Sequence, residues 1–273
     1  MLSVSGKYWE EISLNKRLVD KTKLDFDFSE IVSKLVIYRN FNTEEIYSIN
    51  NKIELTNPFI KTKDYLNCTN LLKKHILNKE KILVIGDYDV DGCVSTSLLI
   101  NFFNKQKVNS SYYIPDRIKD GYGATLSLIK ELVKKEQPRL IIMVDCGSNS
   151  NNSVDYLNEN KIDTIIIDHH NIEKNYPNST GLINPKKDCD YQKYNYLCSS
   201  FLTFFFLDLY VKNYKIKNTI KNYLIYVLLA TVCDVMPIRE INRFLAIQIL
   251  KNFNFNKNLI FKFFLDISKI NRK

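Results

Sequence analysis

The chain has 273 residues, of which 45% are hydrophobic and 25% charged, and its formal net charge is +9. This composition excludes an intrinsically disordered chain and predicts a globular protein with one large core or two modest ones. The excess of lysine and arginine favours a polyanionic partner such as nucleic acid, although the basic residues are scattered and the charge alone is weak support.

The cysteines and the apolar segments restrict the class of protein further. Six cysteines show no CxxC spacing, so zinc ribbons and thioredoxin-like sites are unsupported and structural roles are expected for all six. The first residues lack the apolar stretch of a signal peptide. The longest uncharged apolar run, residues 223–233, is too short to span a bilayer. These features predict a cytoplasmic protein without membrane association.

The N-terminal part of the chain is polar and has a helical period. Its candidate helices are residues 29–38, 43–50 and 65–77. Acidic residues in the first turn of the second, Glu44 and Glu45, are typical of a helix start. We expect residues 1–80 to form a helical segment packed on the core of the protein.

From residue 81 onward, apolar strands alternate with helices. The predicted strands are residues 81–86, 111–114, 139–145 and 163–168, and the predicted helices are residues 94–105, 125–135 and 153–160. Continuous apolar strands are expected where helices cover both faces of a sheet. The sequence therefore predicts an α/β fold with a doubly wound, mostly parallel sheet.

After Asn184-Pro185 the chain becomes helical and strongly apolar. The candidate helices are residues 198–210, 220–233 and 243–252, and we expect them to form a C-terminal helical layer. The run Phe204-Phe205-Phe206 is expected in the core. These boundaries predict one α/β domain at 81–250 and the start of a further helix at 251–273.

Three aspartates alternate directly after the first predicted strand, at Asp87, Asp89 and Asp91. In extended backbone, alternate side chains point the same way, so the three carboxylates would concentrate negative charge at the end of a buried strand. A hard divalent cation fits such a cluster. A solvated Asp/Gly turn explains the cluster alone equally well.

Further acidic and imidazole side chains follow the later strands. Asp145 ends the third predicted strand, and Asp168-His169-His170 ends the fourth. Ligands of such sheets bind beyond the carboxyl ends of the strands, where carboxylate and imidazole together form a metal-ligand set. Asp234 ends an apolar helix and is a further candidate, with a water-facing helix terminus as the alternative. His75, in a polar helix, is expected to be an ordinary surface residue.

The order of these motifs resembles the DHH phosphoesterase superfamily. The motifs are Gly86-Asp87-Tyr88-Asp89-Val90-Asp91-Gly92, Val144-Asp145-Cys146-Gly147, Asp168-His169-His170 and Asp234-Val235-Met236-Pro237. Within it, the chain is most similar to the RecJ family of single-strand-specific exonucleases. The segments Asp116-Arg117-Ile118-Lys119-Asp120-Gly121-Tyr122-Gly123, Asn184-Pro185-Lys186 and Asn242-Arg243 carry that further likeness, which spans roughly residues 8–250.

The resemblance implies a site with two divalent cations, Mn²⁺ or Mg²⁺. Carried over by motif, the candidate ligands are Asp87, Asp89, Asp91, Asp145, His169 and Asp234. Asp145 is the expected bridging carboxylate. His170 would face the scissile phosphate, and Asp168 would orient an imidazole.

The resemblance also implies contacts with the substrate. Arg117 is a candidate phosphate clamp, with a surface salt bridge as the alternative. Gly121 and Gly123 would let the protein backbone approach the DNA strand closely. Tyr122, like Tyr88, could stack on a base, although buried tyrosines are more common.

The implied function is 5′→3′ exonuclease activity on single-stranded DNA, releasing 5′-mononucleotides in DNA repair and recombination. Two alternatives stay open: a phosphoesterase acting on short oligonucleotides, cyclic dinucleotides or pyrophosphate, and an inactive nucleic-acid-binding module. They stay open because the sequence shows no second α/β (DHHA1) domain or oligonucleotide-binding fold after residue 250, so a truncated chain with an open cleft is expected. The chain also has Cys198-Ser199-Ser200 where that family usually has Gly-Ala-Gly. No protein partner is predicted.

Overall fold

The computed structural model describes residues 3–8, 10, 12–50, 55–121, 123–187, 189–217, 220–254 and 258–268. They divide into two compact units, one within residues 1–54 and the other within residues 55–273. The described part of the first unit contains the helices α1 (Lys16–Phe26), α2 (Glu30–Tyr38) and α3 (Thr43–Asn50). Helices α2 and α3 confirm the prediction, whereas α1, which begins after the capping side chain of Asn15, was not predicted.

The second unit is built on a sheet of five parallel strands, in the order β2-β1-β3-β4-β5 among the described residues. The strands are β1 (Ile82–Ile85), β2 (Ser110–Tyr113), β3 (Leu140–Val144), β4 (Asp163–Ile167) and β5 (Gly181–Ile183). The first four confirm the predicted strands to within a few residues. The sequence analysis missed β5, because three residues before Asn184-Pro185 are too few to show a period.

Eight α-helices accompany the sheet in the described part of this unit. They are α4 (Lys63–Leu77), α5 (Val90–Lys105), α6 (Leu126–Glu136), α7 (Asn151–Glu159), α8 (Ser199–Asn213), α9 (Leu224–Cys233), α10 (Glu240–Lys251) and α11 (Leu259–Ser268). Helix α4 thus lies in the second unit, while the domain boundaries at residues 80 and 250 stay predictions. No helix in the described ranges is long and apolar enough to cross a membrane.

Helices cover both faces of the sheet, as the continuous apolar strands predict. On one face, Ile82 and Val84 pack in a core with residues of α4, α5, α8 and α9. On the other, Leu83 and Ile85 pack with residues of α6 and α7. Alternate residues of a strand point to opposite faces, so each strand contributes to both cores. The fold is a doubly wound α/β sheet, and the phenylalanine run of α8 is buried in the first core, as predicted.

The first turn of α5 lies directly against the end of β1. A Cβ atom on Gly92 would stand 2.5 Å from the backbone nitrogen of Asp87, closer than two atoms can pack. Gly92 therefore allows the helix to start within contact distance of the strand. This close approach places the three alternating aspartates around one turn of backbone at the carboxyl edge of the sheet.

The prediction that His75 is an ordinary surface residue is wrong, because its side chain is only 4% exposed. His75 lies in the last turn of α4, with Nδ1 2.6 Å from Glu80 Oε2 and Nε2 2.9 Å from Asp163 Oδ2. Helix α4 packs against β5, so its C-terminal end lies beside the start of β4. Two carboxylates there compensate the burial of the imidazole.

Candidate metal centre

The carboxyl ends of β1, β3 and β4 lie side by side in the sheet, and each is followed by acidic or imidazole side chains. Asp87 follows β1 closely, Asp145 follows β3, and Asp168 follows β4. All three are at most 3% exposed. Parallel strands present their carboxyl ends at one edge, so side chains distant in sequence meet there.

The three aspartates of the first motif have different local partners. The Asp87 carboxylate accepts a hydrogen bond from the backbone N–H of Tyr88 at 2.8 Å, and burial raises its pKa. Asp89 is the N-cap of α5, and its side chain accepts from the N–H of Gly92 at 2.9 Å. Asp91 lies in the first turn of α5 and is 1% exposed. The alternation therefore places one residue at the strand end, one at the cap and one inside the helix.

Asp91 connects α5 to the N-terminus of α8. Its two carboxylate oxygens accept hydrogen bonds from the backbone N–H groups of Ser199 and Ser200, at 2.7 and 2.8 Å. The first N–H groups of a helix lack intrahelical partners and favour a negative charge. The Ser200 hydroxyl also donates to the backbone oxygen of Asp91. Asp91 thus fixes α8 against the site, a role that the sequence analysis did not foresee.

Asp145 lies at the centre of the acidic edge. Its backbone is left-handed, with φ of 62°, a region that aspartate adopts more readily than most residues. Both carboxylate oxygens are buried without a hydrogen bond to any described residue. Burial, with the negative charges of Asp91 and Asp89, raises the pKa of Asp145 to about 11. This carboxylate is strongly destabilised as an anion unless a positive charge binds beside it.

His169 lies among three carboxylates. Its Nε2 atom is 3.3 Å from Asp145 Oδ1, 3.4 Å from Asp234 Oδ2 and 3.8 Å from Asp91 Oδ2. Neither ring nitrogen makes a hydrogen bond to the residues described, and burial lowers the pKa of His169. A neutral imidazole is the form that binds a metal ion. Asp234 reaches this cluster from the C-terminal end of α9.

Asp168 and His170 form a second layer. Asp168 Oδ1 lies 2.8 Å from His170 Nδ1 and also accepts the backbone N–H groups of His169 and His170. Burial opposes ionisation of Asp168, but these hydrogen bonds, together with that of Ser148, hold its pKa at about 2. The Asp168 contact raises the pKa of His170. Of the two imidazoles, it is therefore the ring of His170 that Asp168 contacts through a hydrogen bond.

Two residues that the sequence analysis left without a role support this second layer. The backbone N–H of Ser148 donates to Asp168 Oδ2 at 3.1 Å. Asn184 donates from Nδ2 to the Ser148 hydroxyl and to the backbone oxygen of His170. In the sequence, Asn184 is marked only by the resemblance of the Asn184-Pro185-Lys186 segment to the family, and Ser148 has no signal. Side-chain amides of this kind hold the loops that carry the imidazoles.

Three of the predicted substrate contacts, Arg117, Gly121 and Gly123, lie between β2 and α6. The Arg117 guanidinium is exposed and stands 5.3 Å from the centre of the Tyr88 ring, within the range of a cation–π contact. Gly121 and Gly123 have φ of 80° and 68°. An added Cβ on either would meet only ordinary contacts within the protein, so the positive φ is the structural reason for glycine at these positions. The close approach to a DNA strand stays a prediction. Tyr122 lies outside the described residues.

The donor set fits divalent cations. Among the described residues, three groups bring ligand atoms within 4.8 Å of one another: Asp87, Asp89 and Asp145; Asp91, His169 and Asp234; and Asp145, His169 and His170. Asp145 Oδ1, Asp145 Oδ2, His169 Nε2 and Asp234 Oδ2 are all buried without a hydrogen bond to a described atom. Buried polar atoms are normally satisfied, so four buried carboxylate and imidazole atoms without a hydrogen bond fit the coordination of a cation.

Known proteins resemble this chain in sequence. The sequence model of the DHH family, N-terminal domain, matches residues 81–231. The chain is 29% identical over 187 residues to the single-stranded-DNA-specific exonuclease RecJ of Bacillus subtilis, an alignment that covers 67% of this chain and 24% of that protein. It is 26% identical to RecJ of Escherichia coli over 254 residues, covering 88% and 43% of the two chains.

A solved structure shares the fold. RecJ from Thermus thermophilus in complex with Mn²⁺ superposes with a TM-score of 0.70 at 20% identity, over 85% of this chain and 33% of the other. The chain spans less than half the length of each of these relatives. The region that the family model matches, residues 81–231, contains the motifs that follow β1, β3 and β4.

Proposed function

Since the chain belongs to the DHH family, we propose that it is a metal-dependent phosphodiesterase. We propose further that it is an exonuclease that degrades single-stranded DNA from the 5′ end and releases 5′-mononucleotides. The observation that carries the proposal is the cluster of buried ligand atoms on Asp145, His169 and Asp234 that make no hydrogen bond to a described residue. DNA repair and recombination as the process, and the cytoplasm as the location, stay predictions from the sequence.

The proposed cation ligands are the six predicted from the sequence. They are Asp87, Asp89, Asp91, Asp145, His169 and Asp234. Asp145 belongs to two of the three ligand groups, which supports its proposed bridging role. Divalent cations held there, Mn²⁺ or Mg²⁺, would activate a water molecule and stabilise the negative charge that grows during in-line displacement at phosphorus.

His170 is the proposed contact to the scissile phosphate. Its side chain is 43% exposed, unlike that of His169, and its Nδ1 is held by Asp168, so the ring is both oriented and accessible from solvent. The raised pKa of His170 favours the protonated ring, which can donate to a phosphate oxygen or to the departing hydroxyl. Asp168 holds that ring in orientation and stays ionised while it does so.

Three observations support single-stranded DNA as the substrate. The relatives named above are single-strand-specific exonucleases. Arg117 presents an exposed guanidinium on the ring of Tyr88, a residue that stands between two proposed ligands. The net charge of +9 favours a polyanion. The 5′ polarity rests on the family resemblance alone.

A nuclease assay tests the proposal. The purified chain is incubated with Mn²⁺ and with 5′-labelled or 3′-labelled single strands from two to forty nucleotides long, beside a duplex control and a chelator control. We expect 5′-mononucleotide from the 5′ label first, single-strand preference, and no product with chelator. Hydrolysis confined to dinucleotides would instead identify a short-oligonucleotide phosphoesterase. Retention of strands without hydrolysis at any Mn²⁺ concentration would identify an inactive binding module.

A further inference from the structure

Ser199, the first residue of α8, carries a buried hydroxyl beside the metal centre. Its side chain is 0% exposed, and its Oγ makes no hydrogen bond within the described structure. Its backbone N–H is fixed on Asp91 Oδ2 at 2.7 Å, so the residue cannot move away from the acidic edge. A buried hydroxyl without a hydrogen bond lowers the stability of the folded protein, so a role in the site would explain its presence at this position.

The neighbouring hydroxyls of the same helix are a useful contrast. Ser200 Oγ donates to the backbone oxygen of Asp91 and lies 3.1 Å from Ser95 Oγ. Thr203, one turn beyond Ser199 on the same face of α8, is also buried, and its Oγ1 has no hydrogen bond to a described residue. Thr203 lies farther along the helix from the acidic edge, about 6 Å at 1.5 Å per residue.

The Asp145 carboxylate is the candidate acceptor for the Ser199 hydroxyl. Both oxygens of that carboxylate are buried and without a hydrogen bond in the described ranges. Asp91 Oδ2, which accepts the Ser199 N–H, lies 3.8 Å from His169 Nε2, and that nitrogen lies 3.3 Å from Asp145 Oδ1. Ser199 and the Asp145 carboxylate therefore belong to the same buried cluster. This cluster thus contains a donor that lacks an acceptor and an acceptor that lacks a donor.

From this arrangement we propose that Ser199 is a positioning residue of the metal centre, whose hydroxyl donates to Asp145 and orients that carboxylate toward the cations. The inference rests on the proposed metal binding. Outer hydrogen bonds to a ligating carboxylate fix its orientation, and their loss typically weakens metal affinity 10- to 100-fold. Ser199 would act through Asp145 and would not touch the metal or the substrate itself.

The matched pair Ser199→Ala and Thr203→Val tests the role. Mn²⁺ affinity is measured by the loss of the free-ion electron paramagnetic resonance signal, and melting temperature is measured with chelator. We expect Ser199→Ala to bind Mn²⁺ about tenfold more weakly than the parent chain. We expect its metal-free melting temperature to be unchanged or higher, because the removed hydroxyl has no partner. Thr203→Val should keep the parent affinity.

The outcomes separate this inference from the proposed function. If the parent chain binds Mn²⁺ and Ser199→Ala binds it equally well, the role of Ser199 is wrong while metal binding stands. If Thr203→Val weakens binding as much as Ser199→Ala does, the effect belongs to α8 packing and the inference fails. If the parent chain binds no Mn²⁺, both proposals fail. Ser199→Cys, which keeps the size with a poor donor, should resemble the alanine variant and guards against a packing artefact.

Discussion

The carboxylate of Asp168 holds the ring of His170, with Oδ1 2.8 Å from Nδ1. Asp168 is buried and His170 is partly exposed, so the pair connects the inside of the site to its open side. A buried anion beside an imidazole favours the imidazolium, and this hydrogen bond is the main reason that the pKa of His170 is raised. The pair therefore determines the pH range in which His170 can donate a proton.

Asp168→Asn should lower the pKa of His170. Asparagine can still accept the backbone N–H groups, but it carries no charge. In the parent chain the pair contributes stability fully below the unfolded histidine pKa of about 6.5, and this contribution is lost as pH rises through the raised folded pKa. Proton NMR titration of the metal-free protein checks this directly, since the chain has three histidines.

The NMR signal of His75 supplies the control. The ring of His75, which lies between Glu80 and Asp163, should keep the chemical shifts of the parent chain when both proteins are compared at one pH. In the presence of Mn²⁺, the alkaline limb of the hydrolysis rate should move to lower pH in Asp168→Asn. An unchanged His170 titration would contradict the assigned coupling.

Much of this site could be predicted because its residues follow apolar strands. The runs that become β1, β3 and β4 are recognisable in sequence, and parallel strands bring their carboxyl ends together. Asp87, Asp145 and His169 could therefore be assigned to one site from the sequence. Residues that depend on local pattern and sheet topology alone are the predictable ones.

The remaining contacts depend on packing between distant segments. Asp91 and Ser199 are 108 positions apart, and no periodicity shows that one accepts from the other. His75 lies in a polar helix, and its burial follows only from how α4 packs on β5. Tertiary packing decides such cases, and a single sequence carries no local signal for them.

Asp145→Asn should remove a pH-dependent destabilisation of the metal-free protein. The folded pKa of Asp145, about 11, exceeds the ordinary value of 3.8, so the folded state binds more protons between these values. Its contribution to stability is full below about pH 4 and is lost as pH rises toward 11. The slope for one proton is at most about 1.4 kcal/mol per pH unit. Asparagine tolerates the left-handed backbone and has no proton to lose, so it adds no such pH dependence to the free energy of unfolding.

Urea unfolding with chelator at pH 6, 7 and 8 measures this effect. The free energy of unfolding of Asp145→Asn relative to the parent chain should increase at each step. Saturating Mn²⁺ should stabilise the parent chain but not the variant; a concentration of 100 Kd would contribute about 2.7 kcal/mol. Parallel pH profiles of the two proteins would show that Asp145 does not carry the proton.

His169→Ala and His75→Ala should separate metal binding from stability. The ring of His169 makes no hydrogen bond within the described residues, so its removal should leave metal-free stability nearly unchanged but weaken Mn²⁺ binding at least tenfold. His75 has carboxylates at both ring nitrogens, so its removal should cost about 1–3 kcal/mol of unfolding free energy and leave Mn²⁺ affinity unchanged. Calorimetric titration and urea unfolding measure the two effects. The opposite pattern would contradict both roles.

Arg117→Ala should weaken binding of single-stranded DNA and reduce its dependence on salt. If the guanidinium contacts one phosphate, the slope of log affinity against log salt should become shallower by about 0.7 for a single strand. Fluorescence anisotropy of a labelled strand, recorded without divalent cations so that no hydrolysis occurs, measures both quantities. Lys119→Ala in the same turn, also exposed, is the matched charge control. Equal slopes for Arg117→Ala and the parent chain would exclude the phosphate contact.

Tyr88→Leu should weaken the same binding through Arg117. The Tyr88 ring lies 5.3 Å from the guanidinium, and an exposed cation–π contact contributes about 0.5–1 kcal/mol, which corresponds to a twofold to fivefold loss of affinity. Tyr88→Phe keeps the ring face and should bind like the parent chain. In an Arg117→Ala background the leucine change should have little further effect, because the two side chains act as a pair. An equal loss in both backgrounds would mean that Tyr88 contacts DNA by itself.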